Sequence, residues 1–357
     1  MSRRGFHDLF VTRRCWAITR DRRRARGVLV MGVISITALV ALGSGSIAFV
    51  SATSAAPNGR WSAPVTLFRG QGATLPAISC ASVHLCIAVG AKGPGLTAVG
   101  VGLSGATAWS SPPIVIDKDG GLTAASCPPA GPCVASGAGF GVGGNTYRFF
   151  GGKWSTGPHT AVSFDSVSCP TAHFCAAVGF LNYASAFVFN GKSWSPQIPI
   201  SARGFAISCP TTKFCAAVSE SGDVLYDKNG TWSKATSIDR YNPDSISCAS
   251  ARFCVAVDGS GDALSDVNGR WSKPATVDTE ASLFGVSCPT TTFCVAVDTA
   301  GAVLFYNGSR WSSPQTVSKK IEFTSISCPT VNFCAAVGLN NVQTGTVAYV
   351  ETYAAPS

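Results

Sequence analysis

Fourteen of the fifteen cysteines fall into seven pairs with one spacing, Cys-x5-Cys, and this repeat limits the possible folds of the 357-residue chain. The first cysteines of successive pairs are 47, 42, 40, 39, 40 and 40 residues apart. The seven pairs are Cys80 with Cys86, Cys127 with Cys133, Cys169 with Cys175, Cys209 with Cys215, Cys248 with Cys254, Cys288 with Cys294, and Cys328 with Cys334. A period of about 40 residues with short apolar runs and Gly or Asn turns is typical of propeller blades, not of a helical solenoid.

A tryptophan precedes each cysteine pair by 15 to 19 residues and completes the repeat. The segment 222–258 shows one unit, in which an apolar strand turns at Asn229-Gly230 into the strand of Trp232. A longer connection then leads to the strand before Cys248 and back along the strand of Cys254. The sequence therefore predicts an all-β domain over residues 58–357, a seven-bladed propeller of four-stranded blades.

The two ends of this domain complement each other. No apolar strand precedes Trp61, and no tryptophan follows the last apolar strand, residues 346–353. We predict that this C-terminal strand pairs with the Trp61 strand, so that both termini build one blade. Such pairing closes the ring and leaves no strand edge open.

Most of the formal net charge of +9 belongs to the first 26 residues, which hold nine arginines and two aspartates. Residues 27–50 carry no charge and are long enough to span a bilayer as one transmembrane or signal helix. Because positive flanks stay in the cytoplasm, the chain beyond a linker at 51–57 is expected outside. Two arrangements follow from this expectation. Either the domain is the extracytoplasmic part of a single-pass membrane protein that is anchored through residues 27–50, or it is secreted after cleavage near Ala52.

The rest of the chain carries only about +2 and shows no basic stripe along the sequence. Nucleic acid is therefore not expected as a partner. Charged residues make up 13% of the chain and hydrophobic residues 46%, which excludes a disordered polyelectrolyte.

Seven identical cysteine pairs outside the cytoplasm predict seven short-range disulfides, each across a β-hairpin. Metal binding is the alternative, but the chain has no Cys-x2-Cys motif and only four histidines, so no metal is predicted. Each bridge closes a small loop and contributes at the low end of about 2–4 kcal/mol. The odd residue, Cys15, lies in the basic leader, either as a bystander or as an acylation site.

Two resemblances accompany the repeat. Units such as ISCPTTKFCAAVS at 207–219 resemble exported bacterial repeat proteins with Ser-Cys-Pro-x-x-x-Phe-Cys-x-Ala-Val-Gly units. The turn at 227–232, which ends at Trp232, loosely resembles the Asp-box of sialidase-type propellers. Both resemblances imply a propeller fold, and neither implies a catalytic function.

Strand order predicts two different faces of the ring. The Cys-x5-Cys turns and the Asn-Gly turns share one face, here called the cysteine-turn face. The loops after each Trp strand and each Ala-Val strand share the other, here called the loop face. The loop face varies between blades, and variable loops on a rigid scaffold usually carry function. Its candidate ligand-binding residues are Arg69, Asp117, His159, Arg203, Asp239, Arg240, Tyr241, Glu280 and Lys319.

Motifs for catalysis are missing from the sequence. It contains no Gly-x-Ser-x-Gly, no His-Glu-x-x-His and no phosphate loop, so neither catalytic residues nor a cofactor are expected. The segment 258–262 alternates oxygen-bearing residues as calcium loops do, but a plain β-turn explains it better.

Two functional hypotheses follow. The first is a non-catalytic binding or scaffold module for a protein or a cell-envelope glycan outside the cell. The alternative is a sialidase-like glycan hydrolase, in which Arg69, Arg203 and Arg240 gather an acidic sugar beside a carboxylate. The missing catalytic pattern favours binding, and convergence of the three arginines on one pocket would favour the hydrolase.

Overall fold

Seven antiparallel sheets, one for each repeat, make up the computed structural model of the protein. It describes residues 59–93, 97–104, 109–110, 113–118, 120–139, 144–160, 162–180, 183–342 and 345–355. The predicted leader, helix and linker lie outside these residues and stay predictions. Among the residues that it describes, no helix has the length and apolar character needed to cross a membrane.

The chain enters the ring through β1 (Arg60–Trp61) and β2 (Val65–Gly70) and then forms blades 1 to 3. Blade 1 contains β3 (Thr74–Ser82), β4 (Leu85–Lys92), β5 (Thr97–Ser104) and β6 (Ile114–Asp117). Blade 2 contains β7 (Gly120–Ser126), β8 (Cys133–Gly139), β9 (Gly144–Phe150) and β10 (Lys153–Thr156). Blade 3 contains β11 (Phe164–Thr171), β12 (Phe174–Phe180), β13 (Ala184–Phe189) and β14 (Ile198–Pro199).

Blades 4 to 6 follow the same order, with the fourth strand short or in two pieces. Blade 4 contains β15 (Gly204–Thr211), β16 (Phe214–Ser219), β17 (Asp223–Lys228), β18 (Thr231–Trp232) and β19 (Thr236–Ser237). Blade 5 contains β20 (Pro243–Ser250), β21 (Phe253–Asp258), β22 (Asp262–Val267), β23 (Arg270–Trp271) and β24 (Ala275–Thr276). Blade 6 contains β25 (Leu283–Thr290), β26 (Phe293–Asp298), β27 (Ala302–Tyr306) and β28 (Gln315–Thr316).

Blade 7 is built from both ends of the described chain. It contains β29 (Glu322–Thr330), β30 (Phe333–Val342) and β31 (Gly345–Ala354). β31 also pairs antiparallel with β1, where Trp61 lies opposite Tyr353, and with β2, where Val65 lies opposite Val350. The predicted closure by the terminal strands is therefore confirmed.

The blades are out of phase with the repeat as it reads in the sequence. The strand before the first cysteine is the first strand of a blade, and the Phe-Cys-x-Ala-Val strand is the second. The unit 222–258 is consequently divided, because β17 to β19 belong to blade 4 whereas β20 and β21 belong to blade 5. The period of the sequence gives the length of one blade, but it does not show which strand of the blade lies nearest the centre of the ring.

The hydrophobic core lies between the blades. Seven clusters of buried residues each join two neighbouring blades, as Ala216 and Val218 of blade 4 do with Ile246 and Ala256 of blade 5. The second strands are the most deeply buried, since Ala216 and Val218 are both 0% exposed. Small side chains here let adjacent sheets approach closely, and burial of apolar surface stabilises the ring.

All seven predicted disulfides form, and the prediction of their pairing is confirmed. Each joins the two arms of the hairpin that carries the first and second strands of a blade. Where the register is continuous, the bonded cysteines lie directly opposite each other, as in blades 1 and 5. The bonds join Cys80 to Cys86, Cys127 to Cys133, Cys169 to Cys175, Cys209 to Cys215, Cys248 to Cys254, Cys288 to Cys294, and Cys328 to Cys334.

The second cysteine of every pair is the more deeply buried one. Cys215, Cys294 and Cys334 are 0% exposed and Cys175 is 1% exposed, whereas their partners are 5–6% exposed. The second cysteine lies in the second strand of its blade, which is covered by both neighbouring sheets. The bridges therefore hold each inner hairpin closed from within the core.

A ring of hydrogen bonds links the first-cysteine segments of all seven blades. The serine before each first cysteine accepts a hydrogen bond from the amide of the first cysteine in the next blade. The donor and acceptor pairs are Cys127 to Ser79, Cys169 to Ser126, Cys209 to Ser168, Cys248 to Ser208, Cys288 to Ser247, Cys328 to Ser287 and Cys80 to Ser327, at 2.8–3.0 Å. The last pair joins blade 7 to blade 1, so the hydrogen-bonded ring is complete.

Two of the four described Asn-Gly turns, those of Asn229 and Asn268, have the predicted hairpin geometry, whereas in the other two only the glycine, Gly191 or Gly308, has a positive φ. Asn229 and Asn268 have φ values of 54° and 57°, and the glycine after each has a φ above 80°. Positive φ at both central residues defines the type I′ turn, which asparagine and glycine tolerate best. After each turn comes the Trp-Ser pair, and the serine hydroxyl accepts the amide hydrogen of the third strand, as Ser233 does from Tyr226 at 3.0 Å.

We predict that truncation after Asn341 abolishes cooperative folding. The truncation removes β31, which pairs with β1, β2 and β30, and it opens the blade that closes the ring. Thermal unfolding followed by circular dichroism should lose its cooperative transition. The matched control deletes only residues 356–357 and should unfold as the full chain does. An unchanged transition in the first variant would show that closure does not need β31.

Ser208→Ala tests the hydrogen-bonded ring. It leaves the amide of Cys248 without its side-chain acceptor, which should lower the free energy of unfolding by about 1–2 kcal/mol. Ser313→Ala, at an exposed serine, is the control and should stay within about 0.5 kcal/mol of the parent. Urea unfolding measures both values, and equal values for the two variants would contradict a stabilising role of the ring.

Candidate binding face

The structure contains the two predicted faces. On the cysteine-turn face the amide of Asn229 donates to the carbonyl of Lys213, at 3.0 Å, which joins an Asn-Gly turn to a Cys-x5-Cys turn. On the loop face the amide of Ile238 donates to the carbonyl of Gly222, at 2.9 Å. This bond joins the loop after a Trp strand to the turn after an Ala-Val strand, so the two loop types form one surface.

Glycine permits this close contact on the loop face. Gly222 and Gly261 have φ values of 77° and 81°, a conformation that other residues rarely adopt. A Cβ at Gly222 would also collide with the carbonyl of Asp239, and one at Gly261 with the carbonyl of Asp278. The loops between blades are thereby fixed against the turns of the preceding blade.

Arg203 is the most constrained cation of the loop face. It lies between blades 3 and 4 and forms ion pairs with Asp165, at 3.3 Å, and with Glu220, at 3.1 Å. Its guanidinium carbon lies 5.1 Å from the ring centroid of Phe180, which is cation–π distance. The side chain stays 27% exposed, so it is held in place and still reaches the surface.

Exposed aromatic side chains lie on the loops next to this arginine. Phe180 is 46% exposed and Tyr183 44%, both in the hairpin between β12 and β13. On the far side of the Glu220–Asp223 turn, Tyr241 is 47% exposed and Arg240 lies 5.9 Å from its ring centroid. We call Phe180, Tyr183, Arg203, Arg240 and Tyr241 the aromatic cluster.

Pairs of aspartates occupy two seams between blades on this face. Asp239 and Asp258 lie between blades 4 and 5 and are 7% and 0% exposed. One oxygen of each carboxyl accepts backbone amides: Asp239 from Arg240 and Tyr241, Asp258 from Ser260 and Asp262. The Oδ2 atoms have no donor among the described residues, and the two carboxyls lie within hydrogen-bond reach of each other.

Asp278 and Asp298 repeat this arrangement between blades 5 and 6. Burial first, and then the neighbouring Asp239 carboxyl, raises the pKa of Asp258 to about 7. Burial and the Asp278 carboxyl raise the pKa of Asp298 to about 6. Two adjacent carboxylates repel in a dry site, so a proton bound between them converts the repulsion into a hydrogen bond.

Asp117 also belongs to a seam. Its carboxylate accepts hydrogen bonds from the Tyr147 hydroxyl and from Asn145 Nδ2, the latter at 3.1 Å, and so joins blade 1 to blade 2. Burial, and then the Asp117 carboxylate, raises the pKa of Tyr147. The space beside these residues is too narrow to hold even a water molecule, whereas small-molecule sites measure roughly 300–1,000 Å³.

The remaining candidates are spread around the ring as single side chains. Arg69 lies in β2 of the closing blade, His159 between blades 2 and 3, Glu280 between blades 5 and 6, and Lys319 between blades 6 and 7. The structure places Arg203, Arg240 and Tyr241 on adjoining loops without direct contact between the two arginines among the described residues, and it assigns Asp117 and Asp239 to seams. Within the residues that the structure describes, no three His, Cys, Asp or Glu side chains form a group that could hold a metal ion.

The three arginines of the hydrolase hypothesis occupy different seams. Arg69 pairs along β2 with Val347, Arg240 lies over its own neighbour Tyr241, and Arg203 is held by two carboxylates. None of the contacts recorded for the described residues joins one of these arginines to another. The sequence analysis did not predict Phe180 and Tyr183 as site residues. A signal was present, since blade 3 is the only repeat with two aromatic residues near the end of its Ala-Val strand.

Solved propeller structures are similar to this chain over most of its length. YCF48 bound to D1 peptide has a TM-score of 0.59 at 16% identity, covering 83% of this chain and 96% of that one. The WD40 beta propeller domain of Doa1 has a TM-score of 0.62 at 13% identity, covering 82% and 97%. Such low identity shows the fold alone, and the chain has the seven-bladed architecture of these WD40-type and YCF48-type propellers.

No protein-family model and no curated protein sequence matches the chain. The resemblance to exported Ser-Cys-Pro repeat proteins and to Asp-box propellers therefore stays a prediction. The fold is shown by structure similarity and by the seven sheets.

The aspartate pairs predict a stability that falls as pH rises. The folded-state pKa of Asp258, about 7, lies above the ordinary value of 3.8, so the folded state binds more protons between these pH values. The free energy of unfolding should therefore decrease from about pH 4 to pH 7 and be lowest above pH 7.

Asp258→Asn tests this dependence. Its amide keeps an acceptor for the backbone and donates a hydrogen bond to Asp239 without a charge. At pH 8 the variant should be more stable than the parent by about 2 kcal/mol, and at pH 4 nearly equal to it. Urea unfolding at both pH values measures this, with Asp223→Asn as the control at a half-buried aspartate. A gain of equal size at pH 4 would exclude titration as the cause.

Proposed function

We propose that this protein is a non-catalytic binding module outside the cell, and that its loop face binds a segment of a partner protein. The main support for this proposal is the aromatic cluster, in which three exposed aromatic rings and two arginines lie on adjoining loops of blades 3 to 5. Aromatic residues and arginine are enriched at the energetic centres of protein interfaces.

Arg203 and the loop that carries Arg240 and Tyr241 are held in place before any partner arrives. Arg203 is fixed by Asp165, Glu220 and the Phe180 ring, and the adjoining loop by backbone bonds to Gly222. Side chains that are already ordered lose less conformational entropy on binding. A preorganised surface of this kind favours a binding function.

A hydrolase of acidic sugars fits the loop face less well. Its arginines would have to offer free positive charge to the substrate carboxylate, as arginine clamps do. Arg203 already forms ion pairs with two protein carboxylates, and Arg69 and Arg240 belong to other seams. The geometry therefore favours binding over the hydrolysis of an acidic glycan.

The proposed compartment rests on the disulfides and on the predicted leader. Seven disulfides are expected where the environment is oxidising, outside the cytoplasm. The basic leader and the uncharged run at 27–50 would place the ring on the outer side, anchored or released near Ala52. YCF48 bound to D1 peptide is an example of a ring of this fold that holds a peptide.

Selection of a random peptide library on the full chain tests the proposal. Peptides that bind the protein should lose at least tenfold in affinity for the Phe180→Ala/Tyr183→Ala variant, since loss of an interface anchor costs about 1–2 kcal/mol or more. Val267→Ala removes an apolar side chain that is 51% exposed on the cysteine-turn face, and it should leave affinity unchanged. Isothermal titration calorimetry measures all three affinities.

Other results of the same screen would count against the proposal. Peptides that bind both variants equally would place the site elsewhere on the ring. Binding on a glycan array together with no peptide enrichment would assign the loop face to a glycan. Release of sugar from an acidic glycan, lost in an Arg203→Ala variant, would establish the hydrolase in its place.

A further inference from the structure

Charge is divided unequally between the two faces of the ring. Nine lysines and arginines lie in the turns or strand ends of the cysteine-turn face: Arg60, Arg148, Lys153, Lys192, Lys213, Lys228, Arg252, Arg270 and Arg310. Among the described residues the acids on this face are Asp227 and Asp266, which are 2% and 1% exposed. Its accessible charge is therefore positive in all blades from 2 to 7.

The loop face does not share this positive charge. Twelve of the described aspartates and glutamates lie in its loops and strand ends, against seven lysines and arginines. Five of these twelve acids are buried, so the seven accessible acids balance the seven cations of the loop face; the five are Asp239, Asp258, Asp262, Asp278 and Asp298. The near-neutral balance of the ring thus hides one face that is basic. The separation follows from topology, since alternate turns along the chain fall on opposite faces.

Apolar side chains also project from the cysteine-turn face. Phe150 is 67% exposed and Val267 51%, both at the ends of third strands beside the hairpin turns. Val83 and Val331 are 36% and 37% exposed at the tips of two Cys-x5-Cys turns. Basic residues interspersed with exposed apolar tips are the composition of surfaces that lie in the headgroup layer of a bilayer.

The chain enters the ring on this same face. β1 begins at Arg60 and runs away from the cysteine-turn face, as the fourth strand of every blade does. Residues 51–58 are the eight between the uncharged run and Gly59, and eight residues span at most about 29 Å. The chain that leads back to the predicted membrane run at 27–50 therefore leaves the ring from the cysteine-turn face.

We propose that the cysteine-turn face rests on an anionic lipid bilayer, with the loop face directed away from it. Positive side chains are distributed over six blades as a broad disc, which matches a planar anionic surface better than the stripe that a nucleic acid backbone requires. The exposed Phe150 and valine tips enter the headgroup layer between them. This inference concerns the face opposite the aromatic cluster, so it holds or fails independently of peptide binding.

Amine labelling of the full chain tests the orientation. The protein is reconstituted into phosphatidylcholine vesicles with or without about one-third phosphatidylglycerol, and labelling by a water-soluble acylating reagent is read by mass spectrometry. Lys192, Lys213 and Lys228 should react at least fivefold more slowly with the anionic lipid present. Lys319 and Lys320 on the loop face are internal controls and should react equally in both vesicles. Protection should disappear in 1 M salt, where the Debye length is about 3 Å.

A variant with fewer positive charges distinguishes electrostatic attraction to the anionic lipid from simple proximity of the ring to its membrane anchor. Lys213→Gln/Lys228→Gln/Arg252→Gln removes three exposed cations, each worth about fivefold in attraction to an anionic surface, so on the order of a hundredfold together. Protection of Lys192 should be lost in this variant. It should persist in the matched control Lys118→Gln/Lys319→Gln/Lys320→Gln, and intact mass should show seven disulfides in both.

The remaining outcomes overturn the proposal. Equal protection in vesicles without phosphatidylglycerol would show that the anchor alone sets the distance. Protection of Lys319 and Lys320 would reverse the orientation. Protection by a short DNA duplex but not by anionic vesicles would assign the basic face to a nucleic acid.

Discussion

The hydrogen bond from each first-cysteine amide to the serine of the preceding blade is the contact that organises the ring. It joins first strands that belong to separate sheets, and seven such bonds close on themselves through Ser327 and Cys80. The disulfide of the same cysteine holds the strand in its hairpin. One dipeptide, Ser-Cys, therefore links each blade internally and to its neighbour, and the hydrophobic seams form around these links.

The rigid inner ring supports the turns that form the loop face. Turns on the loop face are fixed by glycine contacts and by buried carboxyl pairs such as Asp239 and Asp258, so the aromatic cluster is displayed on a firm base. The carboxyl pairs cost stability when both members ionise, and the apolar seams between all seven blades offset that loss. Stability that does not depend on the loops leaves their exposed residues free to serve recognition.

Some features of the fold and of the site could be predicted from the sequence, and others could not. The disulfides, the Asn-Gly turns and the closure by 346–353 were predictable, because each depends on local spacing or on a missing strand. A serine precedes the first cysteine in all seven repeats, but its hydrogen-bond partner lies in another blade and is not visible in the repeat itself. The roles of Asp117 and Asp239 were not predictable, because the sequence around a loop aspartate does not show whether its side chain is solvated or buried between two blades.

The number of blades, the disulfide pairing and the way the ring closes can be read from the amino-acid sequence, because they follow from a period and from complementary ends. The position of each strand within its blade, the contacts among the candidate residues and the distribution of charge depend on the folded ring. Residues about 40 positions apart become neighbours across a seam, and alternate turns separate onto opposite faces. A net charge of about +2 along the chain is thereby divided between a basic cysteine-turn face and a loop face whose accessible charges balance.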